Sequence, residues 1–234
     1  MKRFFDKLYK GTKSDFLSLV KENLIKEQRT FIVTANPEAF MFGDKESDFN
    51  DLLLDDATTV VADGIGIVKG GKKIGVDIAE RIPGIDVAEQ LLVYGDELKK
   101  TVFFLGAKQE VIDALCNVVK EKYSGLSVVG AVNGYIDDKD AVFEQIKEIR
   151  PDIVLVALGI PAQEKLIYKH LKCFDKGIFV GVGGSFDVLS GTKERAPKFF
   201  IDHNLEWLYR ITKEPSRLKR FYDSNVKFLL KLKK

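Results

Sequence analysis

Six short runs of β-branched and aromatic residues are spread along the first three quarters of the chain. They cover residues 31–35, 59–62, 102–105, 127–129, 153–157 and 178–182. None of them alternates with polar residues, and this is typical of strands that other elements cover on both faces. The pattern therefore predicts six strands of one buried sheet.

Stretches with helical spacing of apolar residues lie between these runs. Three apolar stripes are centred on Leu91, Leu115 and Ile146, and each is long enough for a helix that covers a sheet. Strands and helices that alternate in this way predict an α/β fold with a doubly wound, mainly parallel, Rossmann-like sheet.

Ligands of such sheets bind beyond the carboxyl ends of the strands. The residues that directly follow five of the runs are rich in glycine and in polar side chains, and they occupy positions 34–38, 63–66, 106–110, 158–164 and 181–187. Because parallel strands end at the same edge of the sheet, these segments are expected to converge on one site.

The pattern changes after Thr192. Residues 193–234 have helical spacing, many aromatic side chains and no strand pattern, and they carry 12 basic and 5 acidic residues. Residues 1–192 carry 25 basic and 30 acidic residues, so the net charge of +2 conceals two segments of opposite charge. We predict an α/β body over 1–192 and a basic, amphipathic helical appendage over 193–234 that docks on an anionic membrane surface.

Composition excludes several other classes of protein. An apolar content of 45% is enough for a hydrophobic core, and no apolar run approaches the roughly 18 to 20 residues of a membrane span. The N-terminus has no signal-peptide pattern, so we expect a cytoplasmic protein. We expect no nucleic-acid partner. His170 and His203 are the only histidines, which disfavours a histidine metal centre and a Ser-His-Asp triad.

Three glycine-rich motifs are incomplete. Residues 66–73 match a P-loop except that Lys73 replaces the serine or threonine that binds magnesium. The pair Gly64 and Gly66 is only a fragment of the dinucleotide fingerprint, which argues against a redox enzyme. Residues 183–187 end in Asp187, where a hydrolase nucleophile elbow has glycine.

The pair Asp138 and Asp140 matches the D-x-D pattern by which many sugar transferases bind a divalent metal. It lies directly before a predicted helix, where aspartate is favoured as a cap and by the helix dipole. The capping interpretation is the stronger one, so no metal site is predicted.

Three other features remain open on chemistry alone. Asp63 follows a strand and precedes glycines, so it can act as a base, bind a hydroxyl or cap the next segment. The turn at 181–187 can present N–H groups to phosphate, or it can be required only for packing. Arg210, Arg217 and Arg220 form either a binding surface or a solvated helix face.

Seven motifs in order along the chain resemble the WecG/TagA/CpsF family of glycosyltransferases. They lie at 34–38 (TANPE), 62–68 (ADGIGIV), 80–86 (ERIPGID), 158–165 (LGIPAQEK), 181–187 (GVGGSFD), 195–197 (RAP) and 205–217 (LEWLYR with EPSR). The resemblance extends from about residue 31 to residue 222. One departure is Ala162, where many members have a basic residue.

This resemblance implies an inverting, metal-independent and cofactor-free transferase. It would move a sugar from a UDP-sugar donor to a polyprenyl-diphosphate-linked sugar acceptor, as a peripheral protein on the inner face of the cell membrane. In the favoured TagA-like branch the donor is UDP-N-acetylmannosamine, and the acceptor is undecaprenyl-diphosphate-N-acetylglucosamine of wall teichoic acid synthesis. Other branches use UDP-N-acetylmannosaminuronic acid or other UDP-sugars for other envelope polymers, capsule or exopolysaccharide.

The family's functional residues carry over by position. The resemblance implies that Asp63 is the catalytic base. Substrate-binding residues are expected at Thr34, Asn36, Arg81, Gln163, Gly183, Gly184 and Asp187. The diphosphate and the membrane are assigned to Arg210, Arg217 and Arg220.

A non-catalytic nucleotide-binding module that docks on the membrane is an alternative of a different class. It accounts for the sheet, the glycines and the basic appendage. It leaves Asp63, Asn36 and Gln163 on one sheet edge unexplained. The sequence leaves the oligomeric state open, a homo-oligomer included.

Overall fold

The computed structural model describes residues 1–232, so the last two residues of the predicted appendage lie outside the described part. The strands are β1 (Thr30–Ala35), β2 (Thr58–Ala62), β3 (Thr101–Gly106), β4 (Ser127–Val132), β5 (Ile153–Ala157) and β6 (Ile178–Gly181). They pair in the order β2-β1-β6-β5-β3-β4, and every neighbouring pair is parallel. The predicted α/β class and all six strands are confirmed.

The helices of the body lie before, between and after the strands. They are α1 (Lys2–Lys7), α2 (Lys13–Ile25), α3 (Pro37–Lys45), α4 (Ser47–Leu54), α5 (Ile65–Lys73), α6 (Gly84–Glu97), α7 (Gln109–Lys122), α8 (Lys139–Ile149), α9 (Ala162–His170) and α10 (Ser185–Leu189). A short 3₁₀ turn, Leu171–Cys173, follows α9.

Successive strand residues point to opposite faces of the sheet, and five of the strands are almost entirely buried because apolar clusters cover both faces. The edge strand β4 is only partly buried. Phe103 packs in one apolar cluster with Phe40 and other residues of α1, α3, α4, α8 and α9. Its neighbour Phe104 packs in the opposite cluster, where its ring lies 5.5 Å from the ring of Phe186 on α10. The uninterrupted apolar runs in the sequence reflect this double coverage.

The appendage contains only helical elements within its described residues. They are α11 (Lys198–Asp202), α12 (Glu206–Lys213), α13 (Arg217–Phe221), a π-helical turn (Tyr222–Val226) and α14 (Lys227–Lys231). Phe228 on α14 is fully buried, and its ring lies 6.1 Å from that of Phe5 and 6.2 Å from that of Phe40. The end of the appendage is thus anchored in the core of the body.

No helix within residues 1–232 is both long enough and apolar enough to cross a membrane.

Gly181 is the last residue of β6, and two side chains of α9 pack against it. A Cβ at this position would lie 2.6 Å from Gln163 Nε2 and 2.9 Å from Glu164 Oε1. Both side chains are buried, with 2% and 1% of their surface exposed, so neither has room to withdraw. The missing side chain of Gly181 lets two polar residues of α9 pack directly on the strand.

We therefore expect Gly181→Ala to destabilise the protein by about 1–3 kcal/mol, as overpacking of a filled site does. The control is Gly184→Ala, because a Cβ there would lie 4.0 Å from the nearest atom of Asp187. Urea denaturation followed by circular dichroism measures both variants. Equal midpoints would show that α9 adapts freely to the extra methyl group.

Candidate functional site

Asp63 and Asn36 lie side by side beyond the ends of two paired strands. Ala35 is the register partner of Ala62 in the β1–β2 pair, so the next residue of each strand is Asn36 and Asp63. The Asp63 N–H donates to the Ala35 carbonyl over 2.9 Å, which extends the pairing by one step. The sheet register therefore brings together two residues that the sequence analysis selected from separate motifs.

The pKa of Asp63 is raised to about 6, chiefly because burial withdraws the carboxyl from water. The positive charges of Arg81 and Arg210 oppose this rise, whereas the negative charge of Glu206 adds to it. The Gly84 N–H at the start of α6 also favours the ionised form. Asp63 as a whole residue is partly exposed, and a carboxyl with a raised pKa at a strand end is a candidate for a general base.

Arg81 lies beside Asp63 and bonds to the appendage. Its Nη2 donates to Glu206 Oε2, and the side chains of Arg81 and Glu206 are only 14% and 9% exposed. Glu206 is the first residue of α12, and Arg210 lies one turn later on the same helix. One short helix of the appendage therefore supplies both a positive and a negative charge to the surroundings of Asp63.

Thr34 and Asn36 both use their side chains in the fold. The Thr34 hydroxyl donates to the Gly181 carbonyl over 3.3 Å and so links β1 to β6. Asn36 Oδ1 accepts the Ala39 N–H over 3.0 Å and caps α3. The Asn36 Nδ2 group is the part of this pair that can serve a ligand, and the substrate roles of both residues stay predictions.

Gln163 is a buried connector between two glycine segments. Its Oε1 accepts the N–H of Gly159 and the N–H of Gly183, each over 3.0 Å. Its Nε2 donates to Glu164 Oε1 over 2.7 Å. All these contacts are within the protein, so Gln163 positions the Gly183 turn, and its direct contact with substrate stays a prediction.

Glu164 is a buried carboxyl on α9, although the sequence pattern predicts for it only a place in a first helical turn. Burial raises its pKa to about 7, against the hydrogen bond from Gln163 that lowers it. Its Oε2 has no hydrogen-bond partner among the described residues. The sequence signal for its burial is that Glu164 follows Gln163 on α9 and that Gly181, at the end of β6, has no side chain to keep it away.

The glycine turn after β6 leaves fewer free N–H groups than its sequence suggests. The Gly183 N–H is used by Gln163, and the Ser185 N–H donates to the Val182 carbonyl. Gly184 directly precedes α10. Phosphate binding by this turn stays a prediction, and it now concerns the Gly184 N–H rather than all the N–H groups of the turn. Asp187 pairs with Lys193 over 3.4 Å, so it secures the beginning of the appendage.

The three appendage arginines have different surroundings. The charge of Arg210 acts on Asp63. Arg220 makes a bidentate pair with Glu38 on α3, with Nε and Nη2 both 2.9 Å from carboxylate oxygens. Arg217 bonds within the appendage to Glu214 over 2.6 Å. The structure thus brings Arg210 to the strand edge, Arg220 to the start of α3, and Arg217 to neither.

A groove of about 390 Å³ lies between α3 and the appendage. Met41 and Phe42 form an apolar part of its wall, and Lys45, Lys219 and Arg220 add positive charge. Glu38 and Asp223 also line the groove, and Glu38 pairs with Arg220, so its walls are partly apolar and carry charges of both signs.

The two remaining motifs have structural explanations. Asp138 caps α8 by accepting the Ala141 N–H over 2.9 Å, and Asp140 accepts from Lys169 over 2.8 Å. The capping interpretation is confirmed. Within residues 1–232 no cluster of three or more histidine, cysteine or acidic side chains forms a candidate metal site. The P-loop-like segment 66–73 lies inside helix α5, where it forms no phosphate-binding loop.

Comparison with known proteins accounts for this arrangement. Residues 5–234 match the glycosyl transferase WecG/TagA/CpsF family. An N-acetylglucosaminyldiphosphoundecaprenol N-acetyl-beta-D-mannosaminyltransferase of Bacillus spizizenii is 40% identical over 208 residues, which cover 88% of this chain and 80% of the relative. Enzymes with the same name from Bacillus subtilis and Staphylococcus aureus are each 36% identical, over 88% and 87% of this chain and 81% and 80% of their own.

The family match covers residues 5–234, which include the motifs at the sheet edge and in the appendage, and the alignment with the Bacillus spizizenii relative covers most of the chain. The membership of this family that those motifs predict is confirmed. The chain therefore belongs to the WecG/TagA/CpsF family of glycosyltransferases.

Proposed function

We propose that the protein transfers N-acetylmannosamine from UDP-N-acetylmannosamine to undecaprenyl-diphosphate-N-acetylglucosamine, with inversion at the donor's anomeric carbon. The names of the relatives support this acceptor and this sugar. The observation that carries the proposal is Asp63, a partly exposed residue beyond the end of β2 whose carboxyl has a pKa raised to about 6 by burial.

In this reaction an acceptor hydroxyl attacks the anomeric carbon as Asp63 takes the hydroxyl proton. The new carbon–oxygen bond forms while the bond from that carbon to the UDP oxygen breaks, and UDP leaves with the electron pair. Glu164 is a poorer candidate for the base because only 1% of its surface is exposed. A base must lie within hydrogen-bond reach of the hydroxyl, and Asp63 satisfies this need better.

The leaving diphosphate needs positive charge, for which Arg210 and the Gly184 N–H are the candidates. A guanidinium presents forked donors that suit phosphate oxygens. Arg210 already acts on Asp63 through its charge, so it is near the reacting centre. This assignment requires neither a metal nor a cofactor.

The appendage is proposed to bring the enzyme to the inner face of the cell membrane, where the acceptor lies. Large apolar side chains are exposed on it, among them Phe199, Leu218 and Leu230 at 60%, 59% and 53%. Such side chains can enter the lipid interface, and each nearby Lys or Arg adds about 1 kcal/mol of attraction to anionic lipid. The groove beside Arg220 is then a candidate for the lipid diphosphate.

A donor panel with undecaprenyl-diphosphate-N-acetylglucosamine tests the proposal, with the lipid product identified by its mass. We expect UDP release that depends on the acceptor, together with a product heavier by one N-acetylhexosamine unit from UDP-N-acetylmannosamine. A product formed only from another UDP-sugar would change the donor but keep the reaction. UDP-sugar binding without turnover would support the non-catalytic module instead.

Asp63→Asn should lower transfer by about 10²-fold or more, because the amide cannot accept the proton, while UDP-sugar binding persists. In the unaltered enzyme, transfer should increase as the pH rises through about 6 and Asp63 ionises. The matched control is Asp77→Asn at an exposed aspartate. Unchanged turnover in Asp63→Asn would place the base elsewhere.

Because burial disfavours ionised Asp63, Asp63→Asn should unfold at pH 8 at a temperature equal to or higher than that of the unaltered enzyme.

Leu218→Glu should weaken binding to phosphatidylglycerol vesicles by about tenfold or more, since it replaces an insertable apolar side chain with a negative charge. The control is Ile25→Glu, which changes a side chain of similar exposure, 56%, at the end of α2 near the start of β1. Vesicle co-sedimentation measures both. Equal loss in the two variants, or in neither, would contradict a membrane contact through α13.

A further inference from the structure

A chain of ion pairs connects the appendage to the body beside Asp63. Arg81 bonds to Glu206 Oε2, and Glu206 Oε1 faces Arg195 Nε over 3.6 Å. Arg195 donates to Asp86 Oδ1 over 2.6 Å, and Lys13 donates to Asp86 Oδ2 over 3.0 Å. The chain therefore joins α2, α6, the segment before α6 and the appendage.

Glu206 is the central link of this chain. A carboxylate with so little exposure is costly unless opposite charges surround it, and here two guanidiniums do so. Glu206 is the only acidic residue of α12, and it lies in the first turn, where the helix dipole favours negative charge. Its oxygen that faces Arg195 has no hydrogen bond among the described residues, so charge alone closes that link.

The same carboxylate is part of the electrostatic surroundings of Asp63. Four groups face Asp63: Arg81 from the preceding segment, the Gly84 N–H from α6, and Glu206 and Arg210 from α12. Arg81, Arg210 and the N–H favour ionised Asp63, whereas Glu206 disfavours it. Since α12 supplies two of the four, the chemistry of Asp63 depends on whether this helix is docked.

We propose that Glu206 is a positioning residue for the transfer reaction, which holds the Arg81 guanidinium beside Asp63 and offsets its charge once α12 is docked. The inference rests on the proposed function, because Glu206 acts through Asp63 only if Asp63 is the base. Without Glu206, Arg81 is free to pair with Asp63 directly. The base then becomes weaker and less available to an acceptor hydroxyl.

Glu206→Gln keeps the shape of the side chain and one oxygen acceptor but removes the charge. The acidic limb of the kcat profile should move to lower pH, because the charge that raised the pKa of Asp63 is gone. At pH 8 kcat should fall by about 3- to 10-fold, the size expected from a weakened base. KM for the UDP-sugar should change little. The acidic limb separates this role from a merely structural one.

Glu194→Gln is the matched control, since Glu194 is an exposed glutamate of the same appendage. The acidic limb of the kcat profile should stay at the same pH in this variant. Trp207, the single tryptophan of the sequence, follows Glu206 on α12 and stacks on Phe221 with ring centroids 4.4 Å apart. Its fluorescence emission reports whether α12 keeps its surroundings in each variant.

If Glu206→Gln alters the Trp207 emission, Glu206→Asp is the second variant, because it keeps the negative charge. The proposal is supported if the acidic limb of the kcat profile lies closer to its original pH in Glu206→Asp than in Glu206→Gln. Identical limbs in the Gln and Asp variants, or an unaltered limb and kcat in the Gln variant, would overturn it. Asp63→Asn is measured alongside, because full activity of that variant refutes the base itself, whereas its inactivity beside an unaffected Glu206→Gln refutes only the role of Glu206.

Discussion

The site depends on one constraint: a carboxylate is held at the end of a buried strand, where water cannot fully solvate it. The register of β1 with β2 fixes Asp63 next to Asn36, and the appendage adds Glu206 and Arg210 beside it. Burial and the charge of Glu206 raise the pKa of the carboxyl, whereas the two arginines lower it. The opposing effects place its pKa at about 6, which leaves it ionised at neutral pH and still able to accept a proton.

The sheet was predictable because its signal is local. Each strand covered on both faces is a continuous apolar run, and all six were located, although β4 continues beyond the predicted 127–129 to Val132. The extension passes through Gly130, whose absent side chain leaves space for the ring of Phe103: a Cβ there would lie 2.2 Å from it. A glycine carries no β-branched signal, so a strand that continues through one is shortened when it is judged from periodicity.

The candidate site was predictable in position but not in its contacts. Family motifs point to Asp63, Arg81 and Gln163. Nothing in the linear pattern shows that the amide oxygen of Gln163 accepts the N–H groups of two glycines. Glu206 lies 125 positions from the arginine that it pairs with, and its own helix is short and basic. Such pairings depend on how the appendage packs on the body, which is a tertiary property that spacing does not encode.

The opposite charges of body and appendage acquire a physical role from these contacts. Several appendage cations pair with acids of the body, as Arg220 does with Glu38 and Lys231 with Asp44. Exposed pairs of this kind contribute about 0–1 kcal/mol each, and attraction of one cation to anionic lipid is worth about 1 kcal/mol. These two free energies are similar, so a surface cation can leave its acidic side chain for a lipid phosphate with little change in free energy. Glu206 and Phe228 are buried inside the protein, so they are not among the surface groups that such an exchange involves. In the proposed membrane-bound enzyme, the outer charges of the appendage meet lipid while its inner face stays packed beside Asp63.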